Sequence, residues 1–479
     1  MKADARVRGG LVYTPSGPIE ADVIVIGEKI SGLVSRGDRT GAREEIDATG
    51  KVVIPGLVDL HAHTRTPGYE QKEDFFTASQ AAAHGGITSF VDMPNVEPPT
   101  DTVALLEQKR KIAERDSLVD WGHFAAGTKV EEIAGLAKAG ATGYKIFQVS
   151  GAYPHDPRLA MNDDDKLYAS FEAIAKTGLP CVVHPFNQAL FELFSERAFA
   201  AGKPHDHVTF AEVYTTDVIW RSAVETLLEL QRETGVRLHV VHTHSGGSLK
   251  ILKRAKAAGQ RVTAAIDPKY YHLTMKDLHE QGPRICPGGP VTEDPERMRT
   301  IWESFADDTL DVIDADHAPH TLEELDKQRT DAWTAAMGNP QYDYLLSVVL
   351  TDVHHGKMSL ENAIRVLCEN PARVIGRYPQ KGALLPDSDA DLVVVDLDRE
   401  VIPSDAATYT KTHWTPYRGW RLRGGPVLTM LRGQVIARDG KVVGQRGYGR
   451  YLAGVPQEPV PLEGFRSPGL AFRPRTAAR

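Results

Sequence analysis

The sequence is poor in cysteine and has no long apolar run, and these two absences narrow the kinds of protein it can encode. It contains three cysteines, Cys181, Cys286 and Cys368, with no CxxC spacing among them. An odd and widely spaced set does not indicate a disulfide framework. No run approaches the length of a membrane span, and the opening MKADARVRGG lacks the apolar segment of a secretion signal. We therefore expect a cytoplasmic protein without a membrane partner.

An excess of basic charge is also lacking. The chain carries 56 basic and 64 acidic residues, a net charge of −8. This mild acidity argues against a nucleic-acid partner, because binding to a phosphate backbone needs clustered positive charge. With 41% hydrophobic and 25% charged residues, the composition is typical of a globular protein. A length of 479 residues predicts two domains, or one large barrel with an appendage.

The middle of the chain alternates short apolar stretches with helical stretches. Several helical stretches end at a glycine, as in KEDFFTASQAAAHGG and DDKLYASFEAIAKTG. Eight strands, each followed by a helical or loop segment, are typical of a (β/α)8 barrel, an α/β fold of the TIM type. The predicted barrel strands are residues 56–63, 87–93, 118–125, 142–147, 179–184, 236–242, 260–266 and 310–316.

Both ends of the chain have a different pattern, of short alternating strands and glycine turns. Neither end can bury a core alone, so we expect the two to pair in one small β-sandwich. The predicted organisation is a discontinuous β-sandwich domain of residues 1–54 and 383–450, with a barrel of residues 55–382 between its halves. Residues 451–479, rich in Pro, Gly and Arg, are predicted as a C-terminal arm or tail, and a solvated tail is the preferred interpretation.

The stretch VVIPGLVDLHAHTR, residues 52–65, ends the first predicted barrel strand with two histidines. Side chains two apart on a strand point the same way, so we expect His61 and His63 on one face. Arg65 continues the alternation and would stand beside them if the strand persists. Two imidazoles placed in this way can bind one divalent metal ion. Paired histidines also occur simply as hydrogen-bonded groups in a polar core.

Chemically similar residues follow at the ends of other predicted strands. The carboxyl ends of barrel strands meet on one rim, which is where the catalytic residues of such barrels lie. Because these residues come from five separate strands, chance is a poor explanation of their shared position. We therefore predict a metal centre whose candidate ligands are His61, His63, Lys145, His184, His242 and Asp316.

Lys145 needs its own explanation, since metal cations repel a protonated ammonium. Burial beside positive charge lowers the pKa of a lysine, and the neutral amine can add carbon dioxide. The resulting carbamate is an anion with two oxygens, which can bridge two metal ions. The alternative is an ordinary ion-paired lysine at the end of the strand in GATGYKIF.

Six segments resemble the cyclic amidohydrolases of the amidohydrolase superfamily, which include dihydroorotase, allantoinase, hydantoinase and dihydropyrimidinase. The segments are PGLVDLHAHTRTPGYEQKEDF, AAAHGGITSFVDMPNVEPP, GATGYKIF, VVHTHSGGS, DADHAPHT and KGALLPDSDADLVVVD. They keep the family's order over roughly residues 20–450, and their motifs look closest to dihydroorotase. The resemblance implies a barrel with a binuclear, usually zinc, site, a small sandwich from both termini, and a homodimer or homotetramer.

The resemblance also implies a role for each residue at the strand ends. His61 and His63 would bind the first ion, and His184 and His242 would bind the second. Lys145, carried as N6-carboxylysine, would bridge the two. The aspartate that opens DHAPHT would bind the first ion and would also be the catalytic group that carries the proton.

Three further residues match positions that hold the carboxylate of the substrate in dihydroorotase: Arg65, Asn95 and His320. Arginine offers a bidentate fork to a carboxylate, and the other two add directional donors. The alternative for Arg65 is an ion pair with a structural carboxylate such as Glu73 or Asp74.

Two loops depart from the dihydroorotase pattern. VTAAIDPKYYHL has Ala265, Lys269 and Tyr270 where the family has an acidic residue and two histidines. RICPGGPV has Cys286 and Pro290 where the family has an asparagine and an arginine. KIFQVSGAYP, which follows the strand-end lysine, looks more like allantoinase. These are substrate-loop positions, so the resemblance implies retained chemistry with altered contacts to the ring.

The sequence therefore predicts a dihydroorotase-like hydrolase of a cyclic amide C–N bond, whose small-molecule substrate is a cyclic amide or ureide bearing a carboxylate. The alternative within the enzymes is an allantoinase, or a hydantoinase or dihydropyrimidinase, acting on a cyclic ureide or imide. A catalytically silent scaffold is a third hypothesis. Such relatives typically lose the metal histidines or the catalytic aspartate, which this chain retains.

Overall fold

The computed structural model describes residues 2–151 and 156–457, beginning with six strands of a small sheet domain. The long third strand pairs through its first half with the second strand, and through its second half with the first and fourth strands. The strands are β1 (Ala3–Arg8), β2 (Leu11–Thr14), β3 (Gly17–Ile26), β4 (Lys29–Ser35), β5 (Ala42–Asp47) and β6 (Val52–Pro55).

A barrel of eight parallel strands follows, paired in chain order. Its strands are β7 (Leu57–Ala62), β8 (Ile87–Asp92), β9 (Asp120–Ala126), β10 (Gly143–Phe147), β11 (Pro180–His184), β12 (Arg237–Val240), β13 (Val262–Ile266) and β14 (Val312–Ile313). Beyond the end of β14, His63 N donates to His317 O (2.9 Å) and His317 N donates to His61 O (3.0 Å), so the sheet closes. Each strand overlaps a predicted apolar stretch, and the predicted (β/α)8 barrel is confirmed.

Helices join the barrel strands and cover their outer face. The first begins after Asp74, whose side chain accepts from Thr77 N (2.9 Å), and ends at His84, just before Gly85. No helix in the two described ranges is long and apolar enough to cross a membrane. The helices are α1 (Phe75–His84), α2 (Val103–Asp116), α3 (Val130–Lys138), α4 (Asp164–Ala175), α5 (Gln188–Ala200), α6 (His207–Tyr214), α7 (Asp217–Thr234), α8 (Gly246–Ala257), α9 (Pro268–His272), α10 (Met275–Gln281), α11 (Pro295–Ala306), α12 (Leu322–Asp326), α13 (Leu345–His354), α14 (Leu360–Ile364) and α15 (Asn370–Val374).

Four strands after the barrel complete the small domain: β15 (Leu392–Val401), β16 (Leu422–Leu431), β17 (Gln434–Arg438) and β18 (Lys441–Val442). β15 pairs antiparallel with β6, which joins the two ends of the chain in one sheet. Val23 and Val53 from the first part share a buried core with Leu392 and Met430 from the second. The predicted small β domain built from both termini is therefore confirmed, while its boundaries at residues 54, 382 and 450 stay a prediction.

A buried ion-pair network lies where the barrel meets the small domain. Lys381 Nζ is 2.6 Å from an oxygen of Asp120 and 2.6 Å from one of Asp391, and 3.0 Å from Asp389. Arg432 pairs with the other oxygen of Asp120. Asp120 begins β9, whereas the other two aspartates precede β15, so the network ties the domains together.

The first residues of the predicted C-terminal tail lie against the amino-terminal side of the barrel. Leu452 N donates to Trp121 O (2.7 Å), and Gln457 N donates to Gly178 O (3.0 Å). The ring of Tyr451 packs on that of Trp121, with centroids 4.6 Å apart. Residues 451–457 therefore form a strap on the barrel rather than a solvated segment, and the rest of the predicted tail, 458–479, lies outside the described residues.

Candidate metal centre

One half of the candidate centre combines two histidines and an aspartate at the rim of the barrel. His61 is close to the end of β7, His63 follows that strand, and Asp316 lies three residues after β14. Asp316 Oδ1 is 3.3 Å from Nε2 of His61 and 3.3 Å from Nε2 of His63. The backbone of Asp316 is left-handed (φ 41°), a conformation that is uncommon outside glycine but that aspartate adopts more readily than most residues.

The other half combines His184, at the end of β11, and His242, two residues after β12. Their ring centroids are 4.7 Å apart, and His242 is 4.8 Å from His61 of the first half. The Tyr214 hydroxyl is 3.2 Å from Nε2 of His184. All four predicted histidine ligands are therefore gathered at one point on the rim.

The outer ring nitrogens of two of these histidines are held by oxygens. His63 Nδ1 is 2.8 Å from Asn95 Oδ1, and His242 Nδ1 is 2.8 Å from Asp267 Oδ2. If each Nδ1–H donates, the lone pair of each ring lies on Nε2. An oxygen on the outer nitrogen is the usual arrangement for histidines that bind metals.

Lys145 lies within β10, two residues before the end of the strand, and is fully buried. Its Nζ makes no hydrogen bond with any of the described residues. Burial, the largest effect, lowers the pKa of Lys145 to about 8, against the opposing field of Asp316. At pH 7 about one lysine in ten is then neutral, which a carbamate requires.

His61, His63 and Asp316 have the spacing needed to hold a divalent ion between them. Two ligand atoms bound tetrahedrally to zinc at about 2.0–2.1 Å lie about 3.3 Å from each other, the separation found between Asp316 Oδ1 and each Nε2 of His61 and His63. Burial lowers the pKa of His63 to about 4, so its ring is neutral at pH 7 and able to ligate. Ligand atoms of His61, His242 and Asp316 also lie within 4.8 Å of one another.

The three predicted substrate residues are buried in contacts with the protein. Arg65 Nε donates to Pro319 O (3.1 Å), and Arg65 Nη2 is 2.9 Å from His320 Nε2. Asn95 accepts from His63, as described above. β7 ends at Ala62, and Arg65 has a φ of 60°, so the strand alternation that was expected to carry Arg65 does not persist.

Three charged residues near the centre were not predicted. Asp267 follows β13, and Lys269 bonds to both Asp267 (3.1 Å) and Asp316. Asp314 Oδ2 is 3.4 Å from His61 Nδ1. The sequence signal was present, because each of the three lies within three residues of a predicted strand end. In DVIDAD and AAIDPK, however, nothing in the pattern tells which charged side chain turns inward.

A cavity opens beside the centre and is lined mainly by aromatic and apolar groups. His184, His242, Asp316 and Lys269 form its inner end. Its outer wall comes from the loop after β11, from α5 and α6, and from the segment after β14. It includes Phe186, Phe191, Phe210, Tyr214, Trp333 and Met337. Trp333 Nε1 donates to Ser195 Oγ (2.9 Å), which ties the last segment to α5. Tyr270 and Pro287, from the two divergent loops, also line it.

A search against known families finds one match that spans most of the chain. The model of the amidohydrolase family matches residues 52–436, which include every barrel strand. The chain belongs to the amidohydrolase family.

Similar relatives of this amidohydrolase carry three names. It is 31% identical over 456 residues to an L-hydantoinase of Paenarthrobacter aurescens, covering 94% of this chain and 98% of the relative.

Two other relatives have different names at a similar level of sequence identity. A dihydroorotase of Methanothermobacter thermautotrophicus is 33% identical, covering 88% of this amidohydrolase and 91% of the relative. An allantoinase of Deinococcus radiodurans is 31% identical, covering 93% and 97%. The predicted membership of the cyclic amidohydrolases is therefore confirmed. The three names correspond to different cyclic substrates.

Solved structures agree with the fold of this amidohydrolase. The L-hydantoinase of Arthrobacter aurescens superposes with a TM-score of 0.89 at 31% identity, covering 94% of this chain and all of that one. A dihydropyrimidinase of Brevibacillus agri superposes with a TM-score of 0.86 at 25% identity, covering 94% and 99%.

Proposed function

We propose that the protein is a metal-dependent hydrolase that opens the C–N bond of a cyclic amide. The observation that carries this proposal is the convergence of four histidines, a buried lysine and an aspartate beside one cavity. Membership of the amidohydrolase family, with relatives named after three cyclic amide hydrolases, supports the same reaction class.

Two divalent ions would be held by the residues that converge there. His61, His63 and Asp316 would bind one, His184 and His242 would bind the other, and a carbamate on Lys145 would bridge them. Nitrogen and carboxylate donors of this kind suit zinc. When bound, such ions polarise a carbonyl and make water more acidic.

Asp316 would carry the proton of the reaction. It would accept a proton from the water that adds to the ring carbonyl carbon, and deliver it to the ring nitrogen as the C–N bond breaks. Its position at the inner end of the cavity, with one oxygen towards the histidines and the other towards the cavity residue Lys269, supports this role. The products would be a carboxylate and a freed amide or urea nitrogen.

We infer that the ring carries an apolar, preferably aromatic, substituent, as in a hydantoinase-type substrate. Aromatic and thioether side chains, among them Phe191, Phe210 and Trp333, line the outer cavity and would remove such a substituent from water. Arg65 and His320, expected to hold a carboxylate, are not among the residues that line it. The runner-up from the sequence, a hydantoinase-type hydrolase, therefore becomes the leading proposal.

A carboxylate-bearing ring, as in dihydroorotate, remains the second candidate because of one observation. The ammonium of Lys269 lies on the inner wall of the cavity and is a possible partner for an anionic substituent. Its two carboxylate partners, Asp267 and Asp316, already compensate that charge, which weakens this candidate.

A substrate panel tests the choice. Enzyme supplied with zinc and bicarbonate is assayed with 5-benzylhydantoin, hydantoin, dihydrouracil, allantoin, dihydroorotate and succinimide. We expect the largest kcat/KM for 5-benzylhydantoin and loss of activity in Asp316→Asn. A largest kcat/KM for dihydroorotate would instead support the carboxylate-bearing ring. Absence of both turnover and bound metal would favour the silent scaffold and contradict a hydrolase.

A further inference from the structure

A charged pair, Asp267 and Lys269, joins the two halves of the candidate centre through the protein. Asp267 Oδ2 is 2.8 Å from His242 Nδ1 and 3.1 Å from Lys269 Nζ. Lys269 Nζ also bonds to Asp316 Oδ2. A continuous chain of polar contacts therefore runs from a histidine of one half to the aspartate of the other. Both members of the pair are buried, with 0% and 2% of their surface exposed.

The two oxygens of Asp316 have different partners. Oδ1 is turned to Nε2 of His61 and of His63, while Oδ2 is taken by the ammonium of Lys269. The contact with Lys269 therefore does not occupy Oδ1, the oxygen of Asp316 that faces the histidines. Since a buried carboxylate without a partner is costly, Lys269 compensates both Asp267 and Asp316 when no ion is present.

We propose that Asp267 and Lys269 are positioning residues that set the metal affinity of the centre in opposite directions. Asp267 fixes the ring of His242 with Nε2 towards the centre, which strengthens binding. Lys269 supplies a positive charge beside Asp316, which competes with a cation and weakens binding. This inference rests on the metal-dependent function proposed above, and it concerns two residues outside the six candidate ligands.

The test measures metal affinity rather than turnover. Chelator-treated protein is titrated with zinc against a chromophoric competitor, which yields the number of ions and their stepwise affinities. We expect Asp267→Ala to weaken one of the two ions about 10–100-fold, the range for partners of ligating histidines. Asp267→Asn, which keeps an acceptor for His242 Nδ1, should weaken that ion less. Lys269→Met should bind an ion at least about ten-fold more tightly.

Lys109 provides a matched control. It forms a buried ion pair with Asp92 (2.5 Å), and Asp92 in turn faces a ring nitrogen of His123 (3.2 Å), so its polar chain resembles that of Lys269. Lys109→Met and Lys269→Met should both lower the Tm of the metal-free protein. Only Lys269→Met should change zinc affinity.

Each other outcome contradicts a distinct claim. Unchanged affinities in the Asp267 and Lys269 variants, with two ions on the wild type, would overturn the inference and leave the proposed function standing. Weaker binding in Lys269→Met would overturn the opposing role of the lysine. Loss of one whole ion at saturating zinc in Asp267→Ala would make Asp267 a ligand, not a positioning residue. No ion on the wild type would overturn both the inference and the proposed function.

Discussion

The most direct test of the centre concerns the protonation of Lys145 during loading. With its pKa lowered to about 8 by burial, the neutral amine makes up about one tenth of the lysine at pH 7, half at pH 8 and nine tenths at pH 9. An unperturbed lysine, with a pKa of about 10.4, would be less than about one part in a thousand neutral at pH 7. Because the neutral amine adds carbon dioxide, the rate of carbamate formation should follow this fraction.

The expected rates follow from these fractions. At a fixed concentration of dissolved carbon dioxide, metal-free protein should form the carbamate about five-fold faster at pH 8 than at pH 7, and only about two-fold faster again at pH 9. His63, with a pKa of about 4, stays neutral throughout. The carbamate can be followed by 13C NMR with labelled carbon dioxide, and zinc uptake can be measured in parallel. A rate that rises ten-fold per pH unit through pH 9 would refute the lowered pKa.

The variant Lys145→Ala provides the control for this experiment. It should form no carbamate and should lose bound zinc. Short carboxylic acids such as acetate should restore part of the zinc, because they can occupy the space of the missing carbamate. Full zinc content and full activity in Lys145→Ala, without any added acid, would contradict the bridging carbamate.

Three further perturbations have distinct expected outcomes. Asp316→Asn should keep its zinc, measured by atomic absorption, and lose about 10²–10⁴-fold in kcat; an active variant would contradict its role as proton carrier. Trp333→Ala should lower kcat/KM for 5-benzylhydantoin about ten-fold or more but not for hydantoin. Ser195→Ala removes the indole hydrogen bond and the bond from its own hydroxyl to Phe191 O, but leaves the indole ring in place and should change little. Equal losses on both rings in Trp333→Ala would argue against the apolar wall. Lys381→Met should lower the free energy of unfolding in urea by about 3–5 kcal/mol, since it leaves buried carboxylates uncompensated; a change below about 1 kcal/mol would show that the network is not stabilising.

The barrel could be predicted because burial on both faces gives parallel strands a plain apolar signature. The carboxyl ends of the predicted strands then place His61, His184 and His242 on one rim. The direction of the Arg65 side chain could not be predicted in the same way. Alternation predicts direction only while the backbone stays extended, and the left-handed turn after β7 sends the guanidinium to Pro319 and His320.

Side chains that act between distant segments could not be predicted in this way. Asp267 and Lys269 matter because one reaches a histidine just after β12 and the other an aspartate beyond β14. Trp333 reaches Ser195 on α5, across 138 positions of sequence. Such pairings depend on loop paths, which no local pattern of polarity specifies.

The joining of the chain's two ends in one sheet has a consequence for how the protein is made. Lys29 bonds to Asp389 (2.6 Å), a residue that the ribosome adds 360 positions later. β6, which continues through Gly56 into β7, likewise waits for β15 before its outer edge is paired. Strands β1 to β5 can pair with one another at once, but the edge of β6 that β15 covers stays unpaired until the whole barrel has been translated, because such distant pairings form slowly. A ribosome stalled before β15 would therefore carry a chain prone to aggregate. Chaperones that shield strand edges should raise the yield of active enzyme.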